Sequence, residues 1–224
     1  MMLDTRPETA PPGCDLMALL MDVGRRRHYP RGSLVFAEGD DAHEVLLVTR
    51  GTVKVLVTAR DGRQVVIEMS DAGELLGELA ALDGARRTAS AVAVTPVEVV
   101  TVPVTQFRTI LREVPGAAEA MIDVLAARLR AAAGRHVELG AADAVARVCS
   151  RLDEMADRYG VLDAAGRLVL DTPITQLDLA QWAGLSREAV VKALRSLRNV
   201  GWITNLGRAI VVLDRTAIAQ RATQ

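Results

Sequence analysis

The stretch from Ile174 to Arg198, ITQLDLAQWAGLSREAVVKALRSLR, constrains this chain most, because it reads as two short helices broken once. Leu177 to Ala183 is apolar at helical spacing, Gly184 interrupts it, and Ser186 can cap a second helix that runs to about Arg198. A tight helix pair needs a small residue at the crossing, a glycine able to take positive φ in the turn, and an apolar plug from the second helix. Ala180, Gly184 and Val190 supply these. In the second helix Val190, Ala193, Leu194 and Leu197 form a stripe for burial, which leaves Arg187, Glu188, Lys192 and Arg195 on the solvent side. A recognition helix lays that side into the major groove of DNA, N-terminal residues first. An ordinary helical hairpin, with Glu188 and Lys192 as a solvated i,i+4 pair, is the rival.

Charge supports the first reading. The net charge of −1 argues against an indiscriminate nucleic-acid binder. Residues 1–140 carry 16 Lys and Arg against 19 Asp and Glu, whereas residues 141–224 carry 11 against 9. Arg187, Lys192, Arg195, Arg198 and Arg208 face only Asp178 and Glu188 in the window 175–208. A local basic face on a near-neutral protein fits sequence-specific contact better than bulk phosphate binding. No apolar run approaches the ~20 residues of a membrane span. The first residues, MMLDTRPETAPPG, lack the basic-then-apolar pattern of a signal peptide, so a cytoplasmic location is expected. Cys14 and Cys149 match no metal-ligand spacing and read as free thiols.

The first dozen residues read as a loose arm and Asp15 to Val23 as a short helix. From about Tyr29 the chain becomes a series of short β-prone segments punctuated by glycine: SLVFAE, EVLLVTR, TVKVLVTA, RQVVIEMS and TASAVAVTPVEVVTVP. Asp61-Gly62 sits where a hairpin turn belongs. Such spacing predicts an antiparallel sandwich or barrel. Gln106 to Glu113 predicts a short helix, and Pro115 opens a long one reaching about Glu138 with Ala117, Met121, Val124, Leu125, Ala132 and Val137 as its apolar seam. That seam suits burial against a second copy of the chain, with packing inside its own chain as the rival. Gly140 predicts a hinge, Asp143 to Tyr159 another amphipathic helix, and Gly160 to Leu170 a turn-rich connection. After the helix pair, Trp202-Ile203, Asn205 to Gly207 and Ala209 to Leu213 predict a two-strand wing.

This order resembles the bacterial cyclic AMP receptor protein/FNR superfamily of transcription regulators, from about Asp15 to Leu213. Gly77-Glu78-Leu79 followed by Arg87-Thr88-Ala89 is similar to the phosphate-binding cassette G-E-L-(x)n-R-[ST]-A of cyclic-nucleotide-binding domains. The resemblance implies that Glu78 holds the ribose hydroxyl while Arg87 and Thr88 hold the cyclic phosphate; a bare Glu78–Arg87 pair is the alternative. Ser186-Arg187-Glu188 with Lys192 is similar to the recognition helix S-R-E-x-V-x-[RK] of the cyclic AMP receptor branch, and Gly207-Arg208 to its wing. By that match Arg187 reads guanine O6 and N7 and Glu188 accepts from cytosine N4. Lys192 makes a single base or phosphate contact, and Arg195 and Arg198 touch phosphates or solvent. The implied fold is α+β: an N-terminal antiparallel β-roll over 1–114 that senses an effector, a long dimerisation helix over 115–139, and a C-terminal winged helix-turn-helix over 140–224. The implied partners are a palindromic double-stranded DNA with TGTGA-like half-sites, a second copy of the chain, and RNA polymerase. The implied effector is a cyclic nucleotide, cyclic AMP first and cyclic GMP second, with no metal and no membrane.

The chain departs from that pattern in one place. Cyclic-AMP-responsive members read adenine with a Thr-Ser or Thr-Asn pair on the long helix, one residue from each subunit, and an ungapped match from Arg87 to Arg147 puts Ala132 and Ala133 there. Methyl groups cannot bond the exocyclic amine, so base discrimination weakens or moves to Arg135 or His136; Arg128 lies where some members touch ligand. Two rivals follow: a regulator of this architecture working without effector or with another one, and a nucleotide-sensing module acting through protein partners without DNA. Iron–sulfur and haem sensing lack their cysteine cluster and histidine set. No nucleophile–base–orienter set predicts an enzyme.

Overall fold

The structure, a computed structural model, describes residues 14–223; the expected N-terminal arm lies outside the described residues. The chain enters through α1 (Leu16–Val23), whose start is fixed by the Asp15 side chain accepting from the Ala18 amide at 3.0 Å. Eight strands and a short helix follow: β1 (Arg25–Tyr29), β2 (Leu34–Phe36), β3 (Glu44–Arg50), β4 (Val53–Thr58), β5 (Gln64–Ser70), β6 (Leu75–Leu76), α2 (Glu78–Asp83), β7 (Ser90–Ala93) and β8 (Val97–Pro103). They build two four-stranded antiparallel sheets, ordered β1-β8-β3-β6 and β2-β7-β4-β5. The expected antiparallel sandwich is therefore observed, with β3 and β5 spanning the residues their sequence patterns suggested. Gly62, at φ 82°, turns the β4–β5 hairpin.

Strand periodicity divides the core. In β3, Leu46 and Val48 point between the sheets with Val53, Val55, Ala91, Ala93, Val97 and Val99. Val45 and Leu47 point the other way, joining Val100 and Val102 of β8 under α1, α3 (Val104–Glu113) and the start of α4 (Ala117–Ala141). The four residues Val45 to Val48 are apolar without alternation because both faces of the strand are covered there. The outer side of the second sheet has a different cover. Leu56, Val66, Met69 and Val94 share one core with residues 148–218 of the C-terminal half.

That half consists of α5 (Ala144–Tyr159), β9 (Gly160–Leu162), β10 (Leu168–Leu170), α6 (Gln176–Ala183), α7 (Arg187–Asn199), β11 (Ile203–Leu206), β12 (Ala209–Val212) and α8 (Arg215–Ala222). Three features differ from the sequence reading. The expected turn-rich segment Gly160 to Leu170 forms a hairpin, and it extends the wing into a four-stranded sheet ordered β11-β12-β10-β9. α8 carries one fully buried apolar side chain, Ile218, and so shows no seam in the sequence. The expected hinge at Gly140 is helical; α4 continues to Ala141 and breaks at Ala142, where Asp143 caps α5 by accepting from the Ala146 amide at 2.9 Å. Glycine weakens a helix interior by only about 1 kcal/mol, about what the side-chain cap three residues later contributes, so the cap sets where the break falls.

Of the α4 seam, Ala117 and Met121 are buried, Val124 and Leu125 half-buried, and Ala132 and Val137 exposed; Ile122, Leu129 and Leu139, which lie outside it, are exposed too, Leu129 at 72%. Packing within its own chain thus accounts for the first turns of a helix about 37 Å long.

Candidate functional site

A cavity of about 700 Å³ lies between β5, the β6–α2 corner, α4 and the α6–α7 turn. At its inner end stand the two charged groups of the GEL…RTA sequence. Arg87 is 5% exposed; its Nη1 donates to the Gly77 carbonyl at 2.8 Å, its Nη2 to the Glu44 carbonyl, and its guanidinium stacks 4.4 Å from the Phe36 ring centre. Gly77 takes φ 77°, and a Cβ there would come 1.9 Å from Arg87 Nη1. Glycine is required on both counts. Burial pulls the Arg87 pKa down, opposed by the Glu44 and Glu78 carboxylates; a guanidinium starts so high that it stays charged.

Glu78 is 2% exposed and does not pair with Arg87. Its Oε1 accepts from Arg128 Nη1, and its Oε2 is buried with no partner among the described residues. Arg128 also bonds the Leu75 carbonyl and lies 3.3 Å from Glu68. Burial works against the Arg128 charge, but Glu78 and Glu68 outweigh it and raise its pKa. Glu68 itself is pushed up by burial, against the pull of Arg128. Leu79 and Thr88 line the cavity from exposed positions.

Ala132 lines the cavity and Ala133 does not. Arg135 and His136 line it one turn further on. The far wall comes from the C-terminal half, through Glu138, Leu139, Arg147, Arg151, Trp182, Ala183 and Gly184. Arg147 Nη1 donates to the Ala183 and Gly184 carbonyls at 3.3 and 3.2 Å, while its Nε is buried without a partner among the described residues. Arg151 pairs with Glu138 at 2.6 Å and Glu154 at 3.0 Å and lies 5.4 Å from the Trp182 ring centre. Sequence reasoning missed this wall, since no local spacing links residues 138–151 to the 182–184 turn.

The helix pair forms as its pattern suggested. Thr175 and Asp178 make a reciprocal capping box at the start of α6, Gly184 ends it at φ 63°, and Ser186 accepts from the Ala189 amide at 3.2 Å to start α7. Val190, Ala193, Leu194 and Leu197 are buried. Ser186, Arg187, Glu188, Lys192 and Arg195 are exposed, as is Arg208 in the wing turn. Among the described residues the side chains of Arg187, Glu188, Lys192, Arg195 and Arg208 make no hydrogen bond or ion pair, so the Glu188–Lys192 pair of the rival reading is not formed.

The helix pair is also docked on the β-roll. Lys54 of β4 donates to Asp178 at 2.6 Å and to Gln181 at 3.2 Å, with the ion pair 15% and 11% exposed. Gln181 reaches Gln64 at 3.1 Å. Below it, Arg158 bonds the Met69 carbonyl at 2.7 Å and Asp71 at 3.0 Å, and the Tyr159 hydroxyl donates to Asp71 at 2.8 Å. Burial raises the Asp178 pKa, but Lys54 and Thr175 outweigh it and hold the carboxyl below its ordinary value. Burial and the neighbouring Asp71 push the Tyr159 phenol well above its own.

Comparison with known proteins places both halves. Residues 26–114 match the cyclic nucleotide-binding domain family and residues 146–221 the Crp-like helix-turn-helix domain family. The chain is 34% identical over 194 residues to the CRP-like cAMP-activated global transcriptional regulator of Mycobacterium tuberculosis, covering 87% of this chain and 86% of that protein. It is 31% identical over 205 residues to the cyclic AMP receptor protein of Thermus thermophilus, covering 90% and 89%. Among solved structures, FixK2 from Bradyrhizobium japonicum superposes with a TM-score of 0.78 at 25% identity, over 88% of this chain and 96% of that one. A roll with the GEL…RTA sequence, a long helix and a winged helix pair with a free basic face thus agree with sequence kinship over nearly the whole chain, which belongs to the cyclic AMP receptor protein/FNR superfamily as a DNA-binding transcription regulator with a cyclic-nucleotide-binding domain.

Proposed function

We propose that this regulator works as a cytoplasmic homodimer whose binding to palindromic, TGTGA-like operators is controlled by a cyclic nucleotide held in the cavity. The observation that carries the reading is Glu78 Oε2, a buried carboxylate oxygen without a partner beside a buried arginine. Burying an acceptor unsatisfied costs about 1–3 kcal/mol, and a hydroxyl-bearing ligand removes that cost. Glu78 then accepts from the ribose 2′-hydroxyl, and Arg87 with Thr88 holds the cyclic phosphate through charge-assisted bonds. A second copy would cover Ile122, Leu129 and Val137 along α4. On DNA, Arg187 reads guanine and Glu188 cytosine, Ser186 and Lys192 make further base or phosphate contacts, and Arg195 and Arg208 meet phosphates.

As to organisation, residues 1–114 would sense, the long helix from 115 would pair, and the remainder would read DNA. Effector binding would favour one placement of the two recognition helices, about 34 Å apart. RNA polymerase would be the partner at promoters. One observation favours a second reading, in which DNA binding needs no effector: Arg128 already occupies one oxygen of Glu78. Mobility shift on a duplex carrying TGTGA and its inverted repeat, with and without cyclic AMP or cyclic GMP, separates the two. Tight binding only with nucleotide supports the first. Equal binding in all lanes supports the second, and absence of binding in every lane removes the TGTGA assignment.

A further inference from the structure

We infer that the base end of the cavity selects a purine with an oxygen at C6, of the guanine type, over adenine. This rests on the cyclic-nucleotide reading and goes beyond it. Adenine offers one acceptor and one donor on its outer edge, N7 and the N6 amine, whereas guanine offers two acceptors, N7 and O6. A site for adenine therefore needs a free acceptor, and a site for guanine needs paired donors.

The acceptors toward the base end face cationic or hydroxyl partners, while the open Glu78 Oε2 lies at the ribose end. Ala132 has none to offer. Glu138 is taken by Ser150 at 2.7 Å and Arg151 at 2.6 Å. Glu68 faces Arg128 at 3.3 Å, and the Ala183 and Gly184 carbonyls receive Arg147. The donors are not spent. Arg135 and His136 line the cavity with no hydrogen bond or ion pair among the described residues, and Arg147 Nε is buried without a partner there. Arg135 lies seven residues beyond Arg128, which is two helical turns on the same face and about 10.5 Å along the axis. Arg128 is bonded to the ribose-facing Glu78, so Arg135 stands past the ribose, where a base would lie. An arginine fork meets guanine O6 and N7 with two parallel bonds; it would meet the adenine amine donor to donor.

The test is calorimetry on the full chain with the 3′,5′-cyclic monophosphates of guanosine, inosine and adenosine. Inosine keeps O6 and lacks the 2-amino group. Cyclic GMP and cyclic IMP are expected to bind alike, each at least about tenfold tighter than cyclic AMP. Arg135→Leu should bring cyclic GMP down to the cyclic AMP affinity and leave cyclic AMP within about twofold. Arg135→Lys, which keeps charge but loses the fork, should lose most of the preference as well. Unchanged thermal melting of both variants would show that folding is intact. Cyclic AMP binding as tightly as cyclic GMP, or an unchanged ratio in Arg135→Leu, overturns the inference while leaving the cyclic-nucleotide reading in place. Binding of none of the three overturns that reading, and the inference with it.

Discussion

The cavity and the exposed face of α7 both carry arginine and glutamate, yet they hold their charges in opposite ways. In the cavity Glu78 and Arg87 are almost fully buried, and Arg87, Arg128, Arg147 and Arg151 are each bonded to carbonyls or carboxylates. On α7, Arg187, Glu188, Lys192 and Arg195 point into water with no partner among the described residues. Charges taken out of water must be paired in the folded chain, or they destabilise it. Charges left in water cost the fold almost nothing and remain available to phosphates and base edges. The cavity is thus built into the stability of the molecule, and the exposed face of α7 is carried by it.

Substitutions should separate along that line. The largest effect belongs to Arg87→Leu: losing two charge-assisted contacts, each worth about 1.5–3 kcal/mol, should weaken cyclic-nucleotide binding by about 100-fold or more in calorimetry. A variant that binds normally would mean that the phosphate sits elsewhere. Next comes Lys54→Met, which leaves Asp178 docked against the roll without its cation. A fall of about 2 kcal/mol in unfolding free energy is expected, with faster hydrogen exchange in α6. Arg187→Ala should lower operator affinity by about tenfold and relax selection at one guanine while thermal stability stays put. Lys192→Ala should do least, weakening all DNA sequences by a similar modest factor and reducing the slope of affinity against salt by about 1. A melting temperature that falls with Arg187→Ala, or holds with Lys54→Met, would break the comparison.

Acid offers a finer cut. Because Asp178 is held below its ordinary value of 3.8, its contribution is complete above that pH and is lost as pH falls through the lower folded value. Exchange protection of α6 should therefore be level from pH 7 to about 4 and drop below it. In Asp178→Asn that drop should be absent.

Local features were legible in the sequence wherever local physics decides them. EVLLVTR and RQVVIEMS became strands over their own length, and Asp15, Asp143 and Ser186 sit at helix starts where their side chains can accept from the backbone. Elements held by distant partners were not legible. β1, RRRHY, has no apolar alternation and exists because it pairs with β8 at an edge, where charge protects against unwanted strand pairing. α8 is fastened to α5 by Arg215 to Asp153 and Asp157, with Arg221 reaching the Asp143 cap. In the site, GEL…RTA was visible as a string, but Glu78 pairing with Arg128 rather than Arg87 spans 50 residues, and no spacing rule reaches that far.

Asp178 belongs to two structures at once. One of its oxygens closes the capping box with Thr175, and the other receives Lys54 from the β-roll. Any change that alters its grip on the roll therefore also alters how the first helix of the pair begins. The adjustable half of this contact is Lys54, on a strand of the roll. A chain of this design can have its coupling between halves retuned by substitutions in the sensor while the DNA-binding half keeps its sequence.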